Sequence, residues 1–117
     1  MEEPLFNLSL LKSISRGNDV FVQKMLDIFC EQTPVLYARM ETAFADNDLN
    51  QMGKLAHQLK PSIDNLNIVT LKQVIRKLED AETSGANKQV IRKLLDNLNS
   101  TTNLIINKIK TEYSGQP

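Results

Sequence analysis

Side chains able to do chemistry are scarce in this chain, and their scarcity narrows the options. One histidine, His57, and one cysteine, Cys30, stand among 117 residues. A zinc site of the usual His/Cys kind therefore cannot be assembled within one chain. No GxxxxGK[ST], GxGxxG or GxSxG run is present, which leaves neither a nucleotide cradle nor a nucleophile elbow. The inventory does not describe an enzyme with its own nucleotide site. His57 is the residue left to consider. At ~100° per residue its helix gathers Met52, Leu55, Leu59, Ile63 and Leu66 into one apolar stripe. His57 falls roughly 150° from the centre of that stripe by the same arithmetic, so it should face solvent. Gly53, Lys60 and Asp64 share its side, with Lys54 and Pro61 on the flank. Relative to alanine, a glycine inside a helix costs ~1 kcal/mol and a proline ~3 kcal/mol. Both sit one turn from the same exposed histidine. Two accounts are open. Gly53 can be incidental and Pro61 a helix end, with His57 an ordinary surface residue; or small, flat neighbours keep the imidazole open so that another protein can close over it.

The elements that must position these residues are helical almost throughout, because apolar residues recur at helical spacing and strand-like alternation is missing. Asn7 can cap a short helix through Ile14, and Ser15-Arg16-Gly17-Asn18 reads as a break. Asn18 or Asp19 then starts a long helix with Phe21, Met25, Ile28, Phe29, Gln32, Leu36, Met40 and Ala43 on one side. Pro34 lies inside it and should bend it. Asp46-Asn47-Asp48 ends that helix, and Asp48 is a good N-cap for the next, which runs from Leu49 to about Asn65. A turn near Asn67 leads to a helix from about Thr70 to Thr83, with Leu71, Val74, Ile75 and Leu78 inward. Ser84-Gly85-Ala86-Asn87 is the clearest stop signal. The last helix, Lys88 to about Lys110, buries Ile91, Leu94, Leu95, Leu98, Ile105 and Ile109. Four long amphipathic helices with short links predict an all-α, antiparallel up-down-up-down four-helix bundle, with the first short helix as a cap. The expected domain is single, with its helical core over about residues 8–110 and a flexible tail over 111–117.

Bulk properties agree with a small soluble domain. With 41% apolar residues, a compact fold of this size hides roughly two thirds of the surface its unfolded chain would expose. The 14 basic and 14 acidic residues cancel, so no global field draws the domain to nucleic acid or an anionic membrane. No apolar stretch approaches the ~20 residues a membrane span needs, and Met1 to Asn7 lacks the pattern of a secretory signal. A lone Cys30 fits a reducing compartment. The expected location is cytoplasmic.

The string Ala56-His57-Gln58-Leu59-Lys60-Pro61-Ser62 resembles the A-H-x-L-K-G-S signature of histidine-containing phosphotransfer (HPt) domains. The resemblance extends upstream through Gly17, Asn18, Asp19 and Phe21, then Met25, Leu26 and Phe29, Pro34, and the Leu49-to-Leu55 approach. Downstream it continues through Leu66-Asn67-Ile68, Leu71 and Lys77-Leu78-Glu79. It covers roughly residues 8–85, the last helix agreeing only in being amphipathic. Two departures stand out: Asn67 and Pro61 occupy positions that are usually glycine. Asn tolerates a left-handed turn nearly as well as glycine. Pro61 is the larger change, and it is read as a variation on the small residue that can retune partner choice. The core spacing of Leu59, Ile63 and Leu66 predicts that the helix continues past Pro61, with a bend there.

The resemblance implies that Nε2 of His57 takes a phosphoryl group from one partner and offers it to another. A neutral ring nitrogen is nucleophilic near pH 7, where the ordinary imidazole pKa is ~6.5. Lys60, one turn on, can offset the phosphoryl charge. Glu79 is the candidate orienter. In an antiparallel hairpin turning near Ile68 it lies level with His57, since both helices rise ~1.5 Å per residue. There it can accept from Nδ1–H; the plainer alternative is a rim glutamate paired with Lys60 or solvent. The implied partners are response-regulator receiver domains and a hybrid histidine kinase, with the chain itself a monomer and a phosphocarrier more than an enzyme. No cofactor of its own is expected, any Mg²⁺ being held by the partner's receiver domain. Docking is expected around Gly53, His57, Pro61 and Asp64, with apolar help from Leu11 and Val20. On that view Gly53→Arg would block docking and leave stability nearly unchanged. The rival reading is a helical interaction module that kept the bundle and lost the relay, with Pro61 marking the loss.

Overall fold

The computed structural model describes residues 5–112. Helices α1 (Ser9–Ser15), α2 (Asp19–Ala45), α3 (Leu49–Asn65), α4 (Val69–Glu79), α5 (Ala81–Ser84) and α6 (Lys88–Glu112) follow one another, and no strand occurs among the described residues. Local chemistry sets the boundaries. Arg16 and Gly17, both at positive φ, turn the chain out of α1. The Asn18 side chain accepts from Phe21 N–H at 3.1 Å to start α2, and Asp48 accepts from Gln51 N–H at 3.1 Å to start α3. These bonds satisfy backbone donors that a helix start leaves open. Asn7 Oδ1 accepts from Ser9 N–H at 2.7 Å at the head of α1. Asn67 takes the left-handed turn after α3 with φ 50°, as the glycine-to-asparagine departure predicts.

α2 packs on α3, α3 on α4, α4 on α6 and α6 back on α2, so the four long helices close around one core. The core of α3 is the predicted stripe: Met52, Leu55, Leu59, Ile63 and the following Leu66 are all buried. α3 runs unbroken through Pro61, and α2 through Pro34. Each proline lacks the N–H that would reach the carbonyl four residues back, but apolar burial beyond it holds the helix. The first short helix α1 packs against α2, and the backbone N–H of Asn7 donates to the Leu66 carbonyl at 2.7 Å, tying the chain's start to the end of α3. No helix among the described residues is long and apolar enough to cross a membrane.

Several expectations need correction. The inward line of α2 is Val22, Leu26, Phe29, Thr33, Met40 and Ala43, whereas Gln32 is exposed and Phe21, Met25, Ile28 and Leu36 are only partly covered. A buried polar residue, Thr33, occupies the position that an apolar residue would have advertised. The helix expected over Thr70 to Thr83 is divided at Asp80, whose φ of −93° and ψ of 2° fall in the bridge region. Leu11 is buried, at 2% exposure, because it is the residue by which α1 grips the core, so it offers nothing to a partner. α6 reaches Glu112, two residues into the expected tail; residues 113–117 lie outside the described part.

A polar clamp closes α2 against α6. Arg92 Nη1 donates to Glu41 Oε1 at 2.9 Å, and Nη2 donates to Glu41 Oε2. The Tyr37 hydroxyl donates to the same Oε2. Arg92 Nε also donates to Asp96 at 3.1 Å, and its guanidinium lies 5.6 Å from the Phe44 ring centroid. Hydrogen bonding from Arg92 lowers the Glu41 pKa. Burial, followed by the bond to Glu41, pushes the Tyr37 phenol from 10.0 up to about 12. An acid whose folded pKa is raised leaves stability untouched below its unfolded pKa and withdraws it as pH rises towards the folded one. Stability is therefore predicted to fall as pH rises from about 10 to about 12, and Tyr37→Phe should flatten that loss. Chemical denaturation across this range, with phenolate absorbance followed in parallel, checks it.

Candidate functional site

α3 is a two-faced helix, and its outer face carries the site. With Leu55, Leu59 and Ile63 fixed inward, His57 must project outward, and its side chain is 72% exposed. The chain of α4 and α5 returns alongside α3 in the opposite sense, since Asn50 of α3 bonds Glu82 of α5 at 3.3 Å while the later His57 meets the earlier Glu79 of α4. Glu79 is the last residue of α4, with a side chain only 18% exposed. Its Oε2 lies 2.8 Å from His57 Nδ1, and its Oε1 lies 3.5 Å from Lys60 Nζ. The two alternatives for Glu79 are thus both realised: it holds the imidazole with one oxygen and the lysine with the other.

The protonation pattern follows from the partners. An ionised carboxylate can only accept, so the contact suits a ring that carries its proton on Nδ1, and in that tautomer Nε2 would present its lone pair outward. Lys60 sits one turn from His57 on the same helix, with its charge available at the rim. A groove of about 560 Å³ runs beside the ring, lined among others by Asn50, Gly53, Lys54, Glu79 and Asp80. Pro61 and Asp64 are exposed farther along α3 and do not line that groove. Val20 is 79% exposed at the start of α2.

Gly53 departs from the expectation of an open, access-granting residue. It is buried under α4, and a Cβ placed on it would lie 2.9 Å from the Glu79 carbonyl oxygen. Its projection falls within about 20° of that of Lys60, which is exposed, so periodicity along α3 does not announce the cover that α4 supplies. An arginine brings that crowded Cβ and a long side chain beyond it, and forced overpacking costs about 1–3 kcal/mol or more. Gly53→Arg is therefore predicted to lower stability by at least about that amount, in place of the unchanged stability expected from sequence. A denaturant melt against wild type measures it; an unaltered midpoint would contradict the packing described here.

An exposed imidazole oriented by a carboxylate, with a lysine one turn away, is an arrangement suited to accepting an anionic group. Searches of curated proteins and of solved structures each returned no significant match. Among protein-family models, that described as "Hpt domain" matches residues 24–101. That span contains most of α2, all of α3, α4 and α5, and the first half of α6, and so the whole His57–Lys60–Glu79 constellation. The chain belongs to the Hpt domain family.

Proposed function

We propose that His57 accepts a phosphoryl group on Nε2 and relays it to or from receiver-domain aspartates in a two-component phosphorelay. The observation that carries the reading is the 2.8 Å contact between Nδ1 and Glu79 on a ring that is 72% exposed. Family membership supports histidine phosphotransfer as the general activity. In the accepting direction the Nε2 lone pair attacks the phosphorus of an aspartyl phosphate. The N–P bond forms as the bond from phosphorus to the aspartate oxygen breaks, and the aspartate leaves as a carboxylate. The ring retains its Nδ1 proton and becomes cationic, so Glu79 stabilises charge that develops during transfer. Lys60 can turn from Glu79 to the phosphoryl oxygens, which carry negative charge throughout. Transfer of this kind is chiefly a matter of positioning and electrostatics.

The chain acts here as a phosphocarrier. Its partners would be receiver domains, which would bring any Mg²⁺ required, and a hybrid histidine kinase; the setting would be cytoplasmic and the carrier monomeric. Short connections between consecutive long helices favour the up-down-up-down arrangement. The docking face would be the outer side of α3 around His57 and Pro61, with Val20 as an apolar contributor. Pro61 does not favour the rival reading of a module that lost its relay, because α3 continues through it with Ile63 fully buried and the imidazole remains exposed.

The test is incubation with a panel of phosphorylated receiver domains, read by intact mass. One phosphoryl group is expected, acid-labile and base-resistant as a phosphoramidate should be. His57→Gln should fold as wild type, since the side chain faces water, and take up none. Undiminished labelling of His57→Gln would end the relay reading, and so would the absence of labelling of the wild type by every donor.

A further inference from the structure

Gly53 lies in the interior of α3, where alanine would be favoured by about 1 kcal/mol. Its backbone gives no reason for glycine, because the positive-φ glycines among the described residues are Gly17 and Gly85. The reason is space. A Cβ at Gly53 would lie 2.9 Å from the Glu79 carbonyl oxygen and 3.6 Å from both its carbonyl carbon and its Cα. These are backbone atoms, which cannot swing aside as a side-chain tip can. They belong to the residue whose carboxylate holds His57 Nδ1 at 2.8 Å and Lys60 Nζ at 3.5 Å. The contact is also flanked on both sides. One turn earlier on α3, Asn50 bonds Glu82 of α5 at 3.3 Å; one turn later, His57 bonds Glu79. Anything inserted between these two bonds pries the end of α4 away from α3.

We propose that Gly53 is a positioning residue: its missing side chain lets the end of α4 settle on α3, and this spacing fixes His57 in the Nδ1–H tautomer with Nε2 free. A neutral imidazole can carry its proton on either nitrogen, and the hydrogen bond made by one decides the state of the other. With the Glu79 carboxylate in reach the proton stays on Nδ1. With α4 displaced by a few tenths of an ångström or more, that bond lengthens, and hydrogen bonds weaken steeply as distance and angle worsen. The tautomer with the proton on Nε2 then competes, and in that form the outward nitrogen has no lone pair to offer. The inference deepens the phosphoacceptor reading, but its test needs no phosphate.

The experiment is ¹⁵N NMR of the full chain with labelled imidazole, without any phosphodonor, at a pH where the ring is neutral. Wild type should show Nδ1 protonated and Nε2 bare. Gly53→Ala should fold, because the helix gains propensity while the contact is relieved by a small shift. It should raise the Nε2–H form relative to Nδ1–H by roughly three- to tenfold, the scale of one weakened charge-assisted bond. Glu79→Ala should lose the Nδ1–H preference outright, and adding Gly53→Ala to it should change nothing further, since the effect passes through Glu79. A wild-type tautomer in Gly53→Ala would overturn the proposal. So would an equal shift in the Glu79→Ala background, or a wild-type ring already protonated on Nε2. Failure of Gly53→Ala to fold would make Gly53 a packing residue only and would overturn it equally. A chain that never accepts a phosphoryl group would still pass or fail these measurements. If it does accept one, phosphorylation of Gly53→Ala should slow in proportion to the fall in the Nδ1–H fraction.

Discussion

The approach of α4 to α3 at Gly53 governs the site, because Glu79 reaches its two partners only from where its backbone lies. A carboxylate at the end of a helix has a short reach, and here one oxygen meets the imidazole at 2.8 Å while the other faces the Lys60 ammonium at 3.5 Å. Neither contact is worth much as a surface ion pair, since exposed pairs contribute about 0–1 kcal/mol. Their value is orientational. They hold a flexible, solvent-facing ring in one protonation pattern and keep a cation beside it.

The same helix carries the stability that makes an exposed site affordable. Met52, Leu55, Leu59 and Ile63 are almost wholly buried on one side of α3, and burying such side chains contributes about 1.5–3 kcal/mol each before conformational entropy is subtracted. That margin lets α3 tolerate both Gly53 and Pro61, which would weaken an isolated helix. Farther round the bundle, the Tyr37–Glu41–Arg92 clamp joins α2 to α6. Its residues are separate from the constellation on α3 and α4, so architecture and chemistry are held by different side chains.

How much of this is legible in the sequence depends on whether the controlling physics is local. The bounds and inward stripe of α3, the capping by Asn18 and Asp48 and the left-handed Asn67 follow from periodicity and short-range hydrogen bonding, and all can be read from the residues. So can the level of Glu79 with His57, which needs only a hairpin and a fixed rise per residue. What could not be read involves neighbours distant in sequence. Thr33 masks the inward line of α2, and the division at Asp80 has no proline or glycine to announce it. Leu11 looks spare until α1 is seen folded onto α2. Gly53 looks like an opening towards solvent until α4 is seen resting on it. The clamp of Arg92 to Glu41 spans two helices whose pairing no local pattern specifies.

Phosphotransfer as proposed places the phosphoryl group on Nε2 of His57 while Glu79 keeps the proton on Nδ1. Combined ³¹P and ¹⁵N NMR of imidazole-labelled protein, phosphorylated by a receiver domain, tests both halves at once. Phosphorus should couple to the Nε2 nitrogen of His57, and Nδ1 should remain protonated and hydrogen-bonded. A phosphoryl group found on Nδ1, or on any residue other than His57, would contradict the account.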